Sequence, residues 1–177
     1  MKRDLSEFKS KNSRSFKPRH VCWWLVQNLI FKTFWFPSKV RVTTLRLFGA
    51  EIGQHVLIRR GVRVHFPEKL IIGDNSWIGE DAWFINHEVI DLGSNVCVSQ
   101  SVVICSSSHD FRTSSLDYKH KRIEIRDGAW ICLRATILAG ARVGINSVVS
   151  AGEVLSGDLK DEHIFVNGSD KPIRKSD

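Results

Sequence analysis

The four cysteines, Cys22, Cys97, Cys105 and Cys132, form no CxxC pair and no regular spacing. That excludes a zinc cluster or a disulfide framework as the organising principle and leaves reduced thiols of a cytoplasmic protein as the expectation. No apolar run reaches the roughly twenty residues needed to span a bilayer. The densest aromatic stretch, His20 to Phe36 (HVCWWLVQNLIFKTFWF), is too short and carries Lys32. No small-residue cleavage site follows it, which argues against a secretory signal. Acid is scarce at the start: residues 1–50 carry 11 Lys/Arg against 2 Asp/Glu, whereas residues 51–177 carry 15 against 17. The net charge of +7 therefore belongs to the N-terminal segment. With little aromatic interleaving in that arm and a slightly acidic remainder, no nucleic-acid partner is expected.

What is present is a ladder. An aliphatic residue followed by glycine recurs every twenty residues, at Ile52-Gly53, Ile72-Gly73 and Leu92-Gly93. Within each unit aliphatic or aromatic residues recur every six: Ile52, Ile58, Val64; Ile72, Ile78, Phe84; Leu92, Val98, Ile104. After one interruption the series resumes at Ile125, Ile131, Ile137, Val143, Val149 and Leu155. A small or β-branched residue stands four places on in most hexads, as at Ser76, Ala82, Ala129, Ala135 and Ser147; Glu68, Glu88 and Glu153 break that rule. Period six fits no helix, whose apolar face recurs at three and four. It fits short strands joined by tight corners, with a small residue filling each turn and glycine supplying unusual dihedrals. Three hexads close one triangular coil, and stacked coils bury a continuous aliphatic column. The pattern predicts an all-β, parallel β-helix of about five coils over residues 50–160, with Leu70-Ile71 and Ile90-Asp91 as bulged corners. A β-sandwich is the competing fold, and fifteen filled positions in three registers weigh against it.

Residues 1–19 read as a basic mobile arm and residues 20–49 as an aromatic-rich helical segment. Gln27, Asn28 and Lys32 fall near one face of a helix from His20 to Phe36. Such a helix either packs over the end of the column and hides its open edge, or lays a Trp-rich face on an anionic membrane surface; the two readings are compatible. Pro37-Ser38 breaks it, Ser38 caps a second helix over Lys39 to Phe48, and Gly49 stops that one. Residues 110–124 are polar and charged and should leave the column as an extended loop. From 161 to 177 the hexad is lost, giving a covering segment and a basic tail.

The chemistry is expected at the interruption, ICSSSHDFRTSSLDYKHKRIEI, where His109 ends a hexad beside a flap that can cover it. Imidazole is the side chain that ordinarily takes up and returns a proton near neutral pH, and Asp110 with Ser106 to Ser108 is placed to orient it. The bland alternative is an ordinary surface histidine. Cys105 is a weak candidate thiol nucleophile, because it follows an inward Ile at a corner. Asn86 and His87 belong to the preceding coil on the same side of the prism. Asn86 either binds a substrate hydroxyl or satisfies backbone groups at its corner.

The ladder with ICSSSHD, followed by IEIRDGAWICLRATILAGARVGINSVVSAG, resembles the hexapeptide-repeat acyltransferases. The lead-in LRLFGAEIG, the run IGDNSWIGEDAWFIN and the Trp-rich helix are similar to the branch named for colanic acid biosynthesis. The resemblance implies a left-handed coil, a handedness that spacing cannot supply since parallel crossovers are otherwise right-handed. It implies a homotrimer with intersubunit active sites, acetyl-CoA as acyl donor, and no metal. It carries the general base onto His109, the hydroxyl-orienting residue onto Asn86, and the cofactor groove onto Ala129, Trp130, Ser147, Lys171 and Arg174. The implied acceptor is a sugar, nucleotide sugar or lipid-linked glycan of bacterial surface polysaccharide biosynthesis. The expected location is cytoplasmic, and the basic arm with the Trp-rich helix suits peripheral contact at the inner membrane face through residues 1–36. Relatives read T-G-S-H-D where this chain has Ser106 to Asp110, and the C-terminal motif ending at Arg174 is one residue shorter. That altered tail keeps a non-catalytic trimeric scaffold as an alternative. A zinc-dependent, carbonic-anhydrase-like enzyme is a further alternative, disfavoured because Ser114 stands five residues after His109 where a second histidine is needed.

Overall fold

The computed structural model describes residues 18–113 and 115–173. The arm expected over 1–19 lies almost wholly outside them, as does Arg174. Seventeen of the twenty short strands wind into a three-sided prism of five complete turns and a sixth, two-sided one. Face 1 stacks Glu51–Ile52, Leu70–Ile72, Ile90–Leu92, Ile123–Ile125, Arg142–Val143 and Asp158–Leu159. Face 2 stacks Leu57–Ile58, Trp77–Ile78, Cys97–Val98, Trp130–Ile131, Val148–Val149 and His163–Val166. Face 3 stacks Arg63–Val64, Trp83–Ile85, Val103–Cys105, Thr136–Leu138 and Val154–Leu155. All these pairings are parallel and in register, so Ile58, Ile78, Val98, Ile131 and Val149 lie one above another. The hexad residues fill the buried column, as the spacing predicts.

The ladder runs further than the hexads indicate. Leu155 is followed after four residues by buried Leu159 and then, six later, by Phe165, which pairs with Val149. Residues from Asp161 onward thus complete the sixth turn rather than merely cover the fifth. Ser169–Pro172 then reverses and pairs antiparallel with His163–Val166. The bulged corners expected at Leu70-Ile71 and Ile90-Asp91 are strand instead, with Leu70 and Ile90 pointing into the core. The extra residues widen the corner between faces 3 and 1, at Pro67–Lys69 and its equivalents.

Glycine's part at the corners also differs from expectation. The turn from face 1 to face 2 is made by residues of positive φ that are mostly polar: His55, Asn75, Asn95, Gly128, Asn146 and Glu162. Short polar side chains tolerate this conformation better than most. The glycines of the Ile-Gly pairs serve close stacking, since a Cβ on Gly73 would come within 2.5 Å of the Gly93 carbonyl carbon.

The prism's outside is unequal. Face 1 presents Glu51, Ile71, Asp91, Glu124, Arg142 and Asp158, with Arg122 and Arg142 bridging to these carboxylates. Face 2 presents Leu57, Trp77, Cys97, Trp130, Val148 and Ile164. Face 3 presents Arg63, Trp83, Val103, Thr136 and Val154. One face is charged, and two are largely apolar.

Two helices close the N-terminal end: α1 (Pro18–Ile30) and α2 (Ser38–Leu47). α1 ends earlier than Phe36 because Phe31 turns into the core and the chain bends towards Pro37. Its inner side seals the column's edge. The indole Nε1 of Trp23 donates to the Val64 carbonyl at 2.7 Å, and the Val64 N–H donates to Gln27 Oε1 at 2.6 Å. Edge groups that would otherwise await another strand are thereby satisfied. Ser38 does not cap α2; Pro37 holds that position, and the Ser38 hydroxyl accepts the Ile58 N–H at 2.7 Å, tying helix to coil. Gly49, at φ +93°, does stop α2: its N–H reaches the Arg46 carbonyl and that of Ala50 reaches Leu45, a Schellman closure.

Candidate active site

Three wide corners stack between faces 3 and 1, and the third is opened by the insertion. The chain leaves the column after Ser106 and returns at buried Ile123, so the flap spans 107–122 rather than 110–124. It is a hairpin: Ser107–His109 pairs antiparallel with Tyr118–His120, setting His109 opposite Tyr118. His109 therefore stands on a rigid hairpin strand.

Its imidazole is exposed at the edge and lies 4.5 Å from the Tyr118 ring centre. Nδ1 is 2.7 Å from the carbonyl oxygen of Leu116. A carbonyl only accepts, so Nδ1 carries a proton. Leu116 is held at φ +49°, an unusual conformation for a leucine, and its carbonyl meets the ring. The flap tip is braced by Asp110, which accepts from the Arg112 N–H at 3.0 Å and pairs with Lys119 at 2.7 Å. The Lys119 hydrogen bond, helped by that backbone N–H, holds the Asp110 carboxyl below the usual carboxylate range. Asp110 thus acts on the flap backbone and not, as expected, on the His109 ring.

Beside His109 the corner columns build a wall of rings. His87 stacks on His120 at 5.3 Å and 10°, Tyr118 lies against His120 at 5.2 Å, and His65 meets His87 edge-on at 5.5 Å. Burial, with the nearby Lys69 charge, pushes the His120 imidazole down and favours its neutral form. Of these rings the sequence pointed only to His87; the others were findable only once the turns were in register. Among the described residues no group of three His, Cys, Asp or Glu side chains is arranged to hold a metal ion.

Asn86 is placed differently from its expected role. It is fully buried, its Oδ1 accepting the Phe66 N–H at 3.0 Å and its Nδ2 donating to the Phe66 carbonyl. It staples two wide corners together; Ser106 does the same one turn on, between Ile85 and Glu88. Ala129 and Ser147 are likewise interior. The Ser147 hydroxyl donates to the Lys160 carbonyl at 2.6 Å and accepts the His163 N–H, so neither side chain lines a groove. Trp130 is half-exposed on face 2, its indole N–H donating to Ser99 Oγ at 2.9 Å. Lys171 is exposed on the strand that closes the same face. Cys105 turns its thiol to the Ser107 carbonyl. Within one chain, His109 and the Trp130–Lys171 surface occupy different sides of the prism.

Solved acetyltransferases share this parallel β-solenoid. No family model matches the chain. It is 34% identical over 132 residues to WcaF of Escherichia coli strain K12, which bears the name of a colanic acid biosynthesis acetyltransferase, covering 73% of this chain and 71% of that one. A hexapeptide-repeat acetyltransferase of Vibrio cholerae, solved with acetyl-CoA, superposes with a TM-score of 0.80 at 20% identity over 92% of this chain and 90% of that one. A galactoside acetyltransferase solved with coenzyme A gives 0.80 at 16% identity over 98% and 92%. The fold is the left-handed β-helix. The chain belongs to the hexapeptide-repeat acetyltransferase family.

Proposed function

We propose that the protein transfers the acetyl group of acetyl-CoA to a hydroxyl of a sugar or glycan precursor of bacterial surface polysaccharide, with His109 as general base. The observation that carries this is the Nδ1 hydrogen bond to the Leu116 carbonyl, which orients the ring on the flap and puts its proton on Nδ1. Nε2 takes the hydroxyl proton as the oxygen attacks the thioester carbonyl, the C–S bond breaks, and the imidazolium returns that proton to the departing thiolate. Sugar ester and free coenzyme A are the products, with no acyl-enzyme. The names of WcaF and the two solved acetyltransferases support the donor and the acceptor class.

The site is completed by a neighbouring subunit. Base and groove surface lie on different sides of one chain, and the two apolar faces suit subunit packing. Cyclic homotrimers satisfy both requirements, each chain lending its flap to the next.

The test is acetyl-CoA consumption by full-length protein across a panel of nucleotide sugars. His109→Ala is expected to lower turnover by roughly 10²- to 10⁴-fold, the usual share of general base catalysis, while assembly and melting stay unchanged. Full activity in that variant overturns the mechanism. Failure of the intact trimer to bind coenzyme A by calorimetry favours the scaffold reading instead.

A further inference from the structure

α1 is apolar on both sides, and its inner side is already occupied by the coil through Trp23, Gln27 and Phe31. Its outer side and the bend that follows leave Trp24, Leu25, Leu29, Phe34 and Trp35 facing solvent, with 51% to 77% of each exposed. A helix with large apolar side chains on two sides requires two apolar surroundings; the coil supplies one. The Phe34 and Trp35 rings, 4.1 Å apart and tilted by 32°, extend the second surface beyond the helix.

The charges beside it decide what covers it. From Pro18 to Arg60 there are seven Lys/Arg against one acidic residue, and all of the seven but Arg41 are exposed. Lys32 borders the same hollow as Trp24, and Arg59 and Arg60 border the one lined by Phe34 and Phe36. Glu80 offsets part of that pair, at 3.4 and 3.6 Å. A protein partner of matching shape would need acid at many fixed points, whereas a fluid anionic surface adapts to basic and aromatic groups wherever they fall. The preceding 17 residues add six Lys/Arg against two acids. No described helix is long and apolar enough to cross a membrane, so contact is along the surface.

We propose that the outer surface of this helical cap docks on an anionic lipid bilayer, its aromatic side chains entering the headgroup boundary and its lysines and arginines meeting lipid phosphates. In a cyclic trimer rotation keeps the axial direction of each cap, so three copies present to one side and bind with avidity. The single-chain surface stands independently of the acetyl-transfer reading.

The experiment is co-sedimentation of full-length protein with vesicles of phosphatidylcholine alone and of phosphatidylcholine with phosphatidylglycerol, at low and high salt. Selective, salt-sensitive binding to the anionic vesicles is expected. It should fall roughly tenfold or more in the Trp24→Ser/Leu29→Ser/Trp35→Ser triple variant, and similarly in Lys32→Glu/Lys39→Glu, which leaves the apolar side chains intact and carries the test should the triple variant unfold. His109→Ala should bind as wild type. No binding by wild type, equal binding to both vesicles, or variants that bind normally overturn the proposal. So does a lower oligomeric state of the folded triple variant by light scattering, which would show a second copy covering the surface.

Discussion

A histidine whose Nδ1 proton is given to a backbone carbonyl has its tautomer settled before any substrate arrives, and here that carbonyl depends on the flap's internal bonds. Asp110 is the residue that ties them, through Arg112 and Lys119. Its carboxyl is held below the usual range by the Lys119 bond first, so its contribution is present above the ordinary carboxylate pKa and vanishes as pH falls through the depressed value. Asp110→Asn should therefore speed amide hydrogen exchange over residues 107–122 at neutral pH, and the gap from wild type should close in strong acid; equal exchange at neutral pH would contradict this. His109 was legible because it sits where a strict period breaks. The burial of Asn86, Ala129 and Ser147 was not legible for a related reason: a period of six says that a corner exists but not which corner side chains turn inward. A polar residue that staples two turns reads, in sequence, like one that waits for a ligand.

The helical cap shows what can and cannot be read for an element. Its aromatic density announced that something must be covered, and the open end of a stacked column was the obvious object. The two bonds that do the covering, from Trp23 and to Gln27, join residues 41 and 37 positions from Val64, beyond the reach of local pattern. Gln27→Leu keeps the bulk but leaves the buried Val64 N–H unmade, at a cost of about 1–3 kcal/mol. Urea unfolding should show that loss as a lower midpoint at unchanged slope, with the coil's other turns retaining their signal. The flap gave a similar lesson. Its polarity foretold an excursion, but the departure and return points depend on hairpin register, set by Ser107 facing His120.

For the whole molecule, the uneven dressing of the prism is the property with the widest reach. The period placed the inward residues on the correct faces, and the outward residues became a pattern only once five or six turns were stacked in register. Face 2 carries Trp77 and Val148 outward where face 1 carries Asp91 and Glu124. Trp77→Asp should dissociate the proposed trimer, read as a fall in sedimentation coefficient, whereas Asp91→Asn should leave it intact; an unchanged coefficient in the first variant would move the proposed subunit contact elsewhere. The two ends of the ladder carry a separate consequence. Identical flat rungs are a template for unlimited addition, the geometry from which filaments grow. Here a helix sits on one terminus, and on face 2 a chain reversal at Ser169–Pro172 occupies the other. Accretion of further rungs is thereby opposed at the helical terminus and along face 2 of the other, which works against open-ended growth of a sequence built from a repeat.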